Sequence, residues 1–85
     1  MKGFTYTITD AEGIHARPAG LLVKEANQFS SSVKISKGGN PVDAKRIFAV
    51  MGLGAKQGET VTITVDGADE EEAAAKLEEF LKKNL

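Results

Sequence analysis

The run Gly13-Ile14-His15-Ala16-Arg17-Pro18-Ala19 decides how this chain is read. It holds the only histidine in 85 residues, with an arginine two positions on and a proline three positions on. Apolar residues then recur at Ala19, Leu22, Val23, Ala26 and Phe29, the spacing of one buried helix face. The pattern predicts a helix from about Ala16 to Gln28. Pro18 suits its first turn, where backbone N–H groups have no intrahelical partner and the fixed φ is already helical. His15 then falls at or near the N-cap, in line with the free amides of Ala16 and Arg17. Those amides and the helix dipole form an anion cradle, and Arg17 adds a guanidinium fork matched to phosphate oxygens. A neutral imidazole is a nucleophile, and its phosphorylated form would be a dianion held where anions are favoured. Taken alone, a histidine at a helix start is more often a plain cap or a surface residue.

Outward from this run the elements alternate. Phe4, Tyr6 and Ile8 alternate with Thr5, Thr7 and Thr9 as a half-buried strand, and Asp10-Ala11-Glu12-Gly13 ends it. Val33 and Ile35 form a second strand after the Ser30-Ser31-Ser32 loop. Gly38-Gly39-Asn40-Pro41 turns the chain, and Pro41 places the short strand at Val42 on a sheet edge. Val61, Ile63 and Val65 alternate with threonines in the cleanest strand of the sequence. Asp69 with Glu72 reads as a capping-box variant opening a last helix, whose core face is Ala73, Ala74, Leu77, Phe80 and Leu81. Glu72/Lys76, Glu78/Lys82 and Glu79/Lys83 lie four apart with the acid first, the better orientation. The order is β-α-β-β-α-β-α. It implies an α/β (α+β) fold, an open-faced β-sandwich with a four-stranded antiparallel sheet and three helices on one face.

The middle segment carries more apolar residues than one short helix can bury. If Val50 and Leu53 face the core, Ile47 and Met51 point elsewhere together, with Phe48 beside them. Such a cluster marks a docking surface, or else a helix buried on two sides. Leu21 lies off the stripe of the first helix, which places it on the surface near His15. Gly20 costs roughly 1 kcal/mol of helix propensity relative to alanine. It serves either close approach of a partner or plain close packing.

Composition narrows the classes. Length allows one domain over residues 1–85. No cysteine is present, so disulfides and thiolate metal sites are excluded. No apolar run is long enough to span a membrane, and Met1-Lys2-Gly3-Phe4 leads directly into a strand pattern. The expectation is therefore a cytoplasmic monomer without membrane insertion. A net charge of −1 argues against nucleic-acid binding held by phosphate contacts. Arg17, Lys24, Lys45 and Arg46 fall in the two central segments, so a basic face around His15 is expected if those segments meet.

Both segments resemble a known family. Gly13 through Ala19 resembles the active-site signature of HPr, the histidine-containing phosphocarriers of the bacterial sugar phosphotransferase system. Ala44-Lys45 through Met51-Gly52-Leu53-Gly54 resembles the family's second signature, and the likeness runs over essentially the whole chain. The resemblance implies the same open-faced fold and makes His15 the phosphoryl acceptor, through Nδ1, with Arg17 as its electrostatic partner and the Ala16 amide beside them. It implies transfer from phosphoenolpyruvate-charged enzyme I to sugar-specific enzyme IIA proteins, by a carrier that is not itself an enzyme and needs no cofactor or metal. The partner-facing set becomes Gly20, Leu21, Lys24, Arg46, Ile47, Phe48 and Met51. The alternative is a paralogous or regulatory HPr-like protein, of the nitrogen-related branch or never phosphorylated. Met51-Gly52-Leu53-Gly54 favours the sugar branch, and binding modules of that second kind lack the histidine. One position departs from the family pattern. Many members carry a serine where Arg46 stands, and an ATP-dependent kinase of Gram-positive bacteria phosphorylates it. Arginine has no hydroxyl, so no regulatory site is assigned.

Overall fold

The strict alternation of Val61, Ile63 and Val65 becomes the centre of the sheet. The computed structural model describes all residues, Met1–Leu85. Its elements are β1 (Lys2–Thr7), α1 (Ala16–Ala26), β2 (Ser32–Ser36), β3 (Val42–Asp43), α2 (Ile47–Gly52), β4 (Thr60–Asp66) and α3 (Glu70–Asn84). The strands run antiparallel in the order β1-β4-β2-β3. Register aligns the apolar rows: Ile63 pairs with Phe4 on one side and Ile35 on the other, and Val65 pairs with Val33. A slip of one residue would turn these rows to solvent, so one buried face fixes the pairing. Phe4 and Tyr6 are only half-buried because β1 is an edge strand.

The helices cover that face. Ala19, Leu22 and Ala26 from α1, Val50 from α2, and Ala73, Leu77 and Leu81 from α3 close the core over β2 and β4. Burying a leucine such as Leu22 or Leu77 contributes up to about 3 kcal/mol. The open face carries Thr5, Lys34 and the hydroxyl pair Thr7–Thr60, 2.9 Å apart. This is the four-stranded open-faced sandwich that the periodicities imply.

Three local expectations need correction. The first helix ends at Ala26, two residues short of Gln28. The Asn27 side-chain amide donates to the carbonyls of Val23 (2.9 Å) and Lys45 (3.2 Å), tying the helix end to the segment before α2. Asp69 does not close a capping box with Glu72; its carboxylate makes no cap bond to α3. It instead accepts the amides of Ser30 (3.0 Å) and Ser31 (2.9 Å) and the Ser31 hydroxyl. Those bonds, the hydroxyl first, hold the Asp69 carboxyl at about 2 rather than the usual 3.8. The reach back to an amide is made by Glu70, which accepts from Gly67 N–H at 3.1 Å. Finally, of the three acid-first pairs on α3 only Glu79–Lys83 closes, at 3.0 Å.

Candidate functional site

β1 delivers the chain to a turn that is pinned from two sides. The Asp10 carboxylate accepts the Glu12 amide at 2.9 Å, an Asx turn, and the Asp10 carbonyl accepts the Gly13 amide at 2.9 Å. Gly13 has φ +69, and a Cβ there would fall on the Ala55 carbonyl oxygen and 2.8 Å from Lys56 Cα. Only glycine fits that approach. The next residue, buried Ile14, donates its amide to the same Ala55 carbonyl at 3.0 Å. The segment after α2 thus seats the turn that presents His15.

His15 is the N-cap residue, in extended conformation (φ −106, ψ −174), and its carbonyl accepts the Ala19 amide at 2.9 Å. Its ring makes no capping bond and is 37% exposed. The amides of Ala16 and Arg17 donate to nothing in the chain, and Pro18 has no donor. Arg17 forms no ion pair. Leu21, Pro18 and Asn84 complete a shallow depression around the ring. Two N–H donors, a helix dipole and a free guanidinium beside one imidazole can receive an anion attached to that imidazole. No group of three or more His, Asp or Glu side chains converges as metal ligands would.

Glu12 is the residue that pattern reading left out of the site. Its Oε2 lies 3.3 Å from His15 Nε2. The signal was present: a carboxylate three residues before the histidine, in an Asp-x-Glu-Gly turn that folds it back.

The apolar surface is smaller than expected and differently composed. Phe48 is 85% exposed, Leu21 41% and Met51 39%. Ile47 does not point outward with Met51; it is half-buried and packs against the core. A Cβ on Gly20 would meet Ile47 Cδ1 at an ordinary 3.8 Å, so Ile47 lies over this point of α1 with room for a methyl. Phe48, Ile47, Val23 and Arg46 border a second depression. The single basic face around His15 is also corrected. Only Arg17 stands beside the ring. Lys24 lies in the last turn of α1, roughly 13 Å along the axis. Lys45 and Arg46 join that far end, where Lys45 Nζ donates to the Phe29 carbonyl at 2.8 Å and Arg46 Nε stands 4.0 Å from Asp43.

Comparison with known proteins agrees with this geometry. A family model described as the PTS HPr component phosphorylation site matches residues 2–83. The chain belongs to the HPr family. It is similar to the phosphocarrier protein HPr of Mycoplasma genitalium, with 45% identity over 99% of this chain and 97% of that one. The crystal structure of HPr-C-His from Thermoanaerobacter tengcongensis matches with TM-score 0.93 and 40% identity, over 99% and 94% of the two chains. An HPr dimer from the same organism matches with TM-score 0.77 and 41% identity, over 98% and 95%. The chain is thus a phosphocarrier of the phosphotransferase system, a carrier rather than an enzyme. No helix is long and apolar enough to cross a membrane.

Proposed function

We propose that His15 accepts a phosphoryl group from phosphoenolpyruvate-charged enzyme I and passes it to sugar-specific enzyme IIA proteins. One domain spanning residues 1–85 does this as a cytoplasmic monomer. The observation that carries the reading is the open start of α1: an imidazole that caps nothing, beside two unpartnered amides and an unpaired guanidinium. In the reading, His15 Nδ1 attacks phosphorus as the bond to the donor's nitrogen breaks. Arg17 and the Ala16 and Arg17 amides hold the transferred oxygens, and the reverse step discharges the group. The site is shallow and solvated, which suits a carrier, since a deep cradle would hold the phosphoryl group too tightly to pass it on. Leu21, Phe48 and Met51 are the apolar contacts for both partners, with Gly20 and Ile47 beneath them and Lys24 and Arg46 at the rim.

The test follows radiolabelled phosphate from phosphoenolpyruvate through enzyme I and this chain to a purified enzyme IIA. Label is expected on the enzyme IIA only when the chain is present. A chain that is charged but never discharges would instead be a regulatory relative. Sedimentation with and without phosphorylation checks the monomer against the dimeric relative.

A further inference from the structure

The His15–Glu12 pair has no part in the proposed transfer as stated above, yet Glu12 is the only carboxylate within 4.0 Å of a ring nitrogen. It is also built rather than casual. Glu12 follows Asp10 in an Asx turn, and Gly13, seated on Ala55, sets the spacing between Glu12 and the N-cap. The backbone that carries Glu12 is therefore fixed relative to the ring, although the Glu12 side chain itself is largely exposed.

Resting on the carrier reading, we propose that Glu12 is a positioning residue of this site. Its carboxylate takes the Nε2–H of His15, leaves Nδ1 as the lone-pair atom of the ring, and offsets the charge that phosphorylation places on the imidazole. The chemistry follows from what a carboxylate can do: ionised, it accepts hydrogen bonds and donates none. A ring whose Nε2 faces it carries its hydrogen on Nε2, the way a buried aspartate fixes the tautomer of a catalytic histidine in hydrolases. When Nδ1 forms its bond to phosphorus, the bond to the donor's nitrogen breaks and its electron pair leaves with the donor. The Nε2 proton stays in place, so the ring becomes an imidazolium bearing a phosphoryl group. Glu12 lies against the positive end of that species and Arg17 is on hand for the negative end. When the group leaves, the electron pair of the N–P bond returns to Nδ1 and the ring is neutral again, with no proton lost to solvent. The charged groups on the elements around the ring are Asp10 and Glu12 from the turn and Arg17 from α1. The Leu85 end of α3 is taken up by the amides of Thr9 and Asp10.

Two substitutions separate the two roles. Glu12→Gln keeps an acceptor for Nε2–H and removes the charge, while Glu12→Ala removes both. Nitrogen-15 spectra of the unphosphorylated, neutral ring are expected to show hydrogen on Nε2 in wild type and Glu12→Gln, and a shift toward the tautomer mixture of free imidazole in Glu12→Ala. Phosphorylation by phosphoramidate, a small chemical donor needing no partner protein, is expected to slow by about three- to tenfold in both variants. The deficit should shrink at high salt, because an exposed charge is screened and a packing defect is not. Wild-type spectra with hydrogen on Nδ1, or equal labelling rates in all three proteins, would overturn the role of Glu12. If wild type itself takes no phosphoryl group from either phosphoramidate or enzyme I, the carrier reading fails. The nitrogen spectra still decide the tautomer on their own.

Discussion

The starts of α1 and α3 are built on one plan and finished in opposite ways. Each helix follows a glycine of positive φ pressed on another segment: Gly13 on Ala55, Gly67 on Ser31. At α3 the leading carboxylates are then committed to neighbouring segments. Asp69 holds the amides of Ser30 and Ser31 and the Ser31 hydroxyl, and Glu70 holds the Gly67 amide and the Met1 ammonium at 2.7 Å. Both helices leave two first-turn amides without a partner, Ala16 and Arg17 at α1 and Glu71 and Glu72 at α3, but the first turn of α3 carries three acids, while that of α1 carries none and its Arg17 is unpaired. Acids at a helix start offset its positive end, and α1 leaves that end uncompensated. The closed end staples the loop between α1 and β2 to the last helix, and the open end is where an anion can bind.

The comparison breaks most severely at its glycines. Gly13→Ala and Gly67→Ala each force a methyl into neighbouring backbone or Cβ and add left-handed strain, and should cost about 2–4 kcal/mol in urea denaturation. Gly38→Ala, with φ +75 but open space around it, should cost only about 1 kcal/mol. Equal losses in all three would mean that close approach does not matter at either helix start.

A smaller effect separates the two ends by pH. The Asp69 carboxyl is held at about 2 against 3.8 in the ordinary chain. Between those values the unfolded chain binds more protons, so stability rises with pH across that window. The contribution is complete above 3.8 and lost as pH falls through about 2. Asp69→Asn should lower the urea midpoint at neutral pH and flatten its acid dependence, while leaving phosphoryl acceptance intact. An unchanged acid limb would remove Asp69 from the staple.

At the open end, Phe48→Ala should leave folding stability within about 0.5 kcal/mol and weaken enzyme I binding by about 1–2 kcal/mol, read by calorimetry. Unfolding, or unaltered affinity, would contradict its place as an exposed contact. The smallest expected effect is at Arg46, a rim cation. Arg46→Ser should slow association with enzyme I by about two- to threefold at low salt and converge with wild type at high salt.

What could be read from sequence follows the range of each interaction. Val61, Ile63 and Val65, and Ala19, Leu22 and Ala26, declare strand and helix because their period is local and the burial it reports is complete. The place of His15 and Arg17 at a helix start was legible for the same reason, with a proline marking the first turn. Asp69 was misread because its partners lie 38 and 39 residues away, and a capping-box pattern sees only its own helix. Lys45 looked like a free cation until the Phe29 carbonyl, 16 residues back, claimed it. Ile47 looked exposed because a periodicity count cannot see that a neighbouring helix covers it near Gly20.

If the open start of α1 is the phosphoryl site, His15 alone carries the group. Incubation with phosphoenolpyruvate and enzyme I, followed by intact mass before and after mild acid, tests it directly. One acid-labile phosphoryl adduct is expected on wild type and none on His15→Ala, whose urea midpoint should match wild type because the ring caps nothing. An adduct that survives acid, or one that persists in His15→Ala, would contradict it.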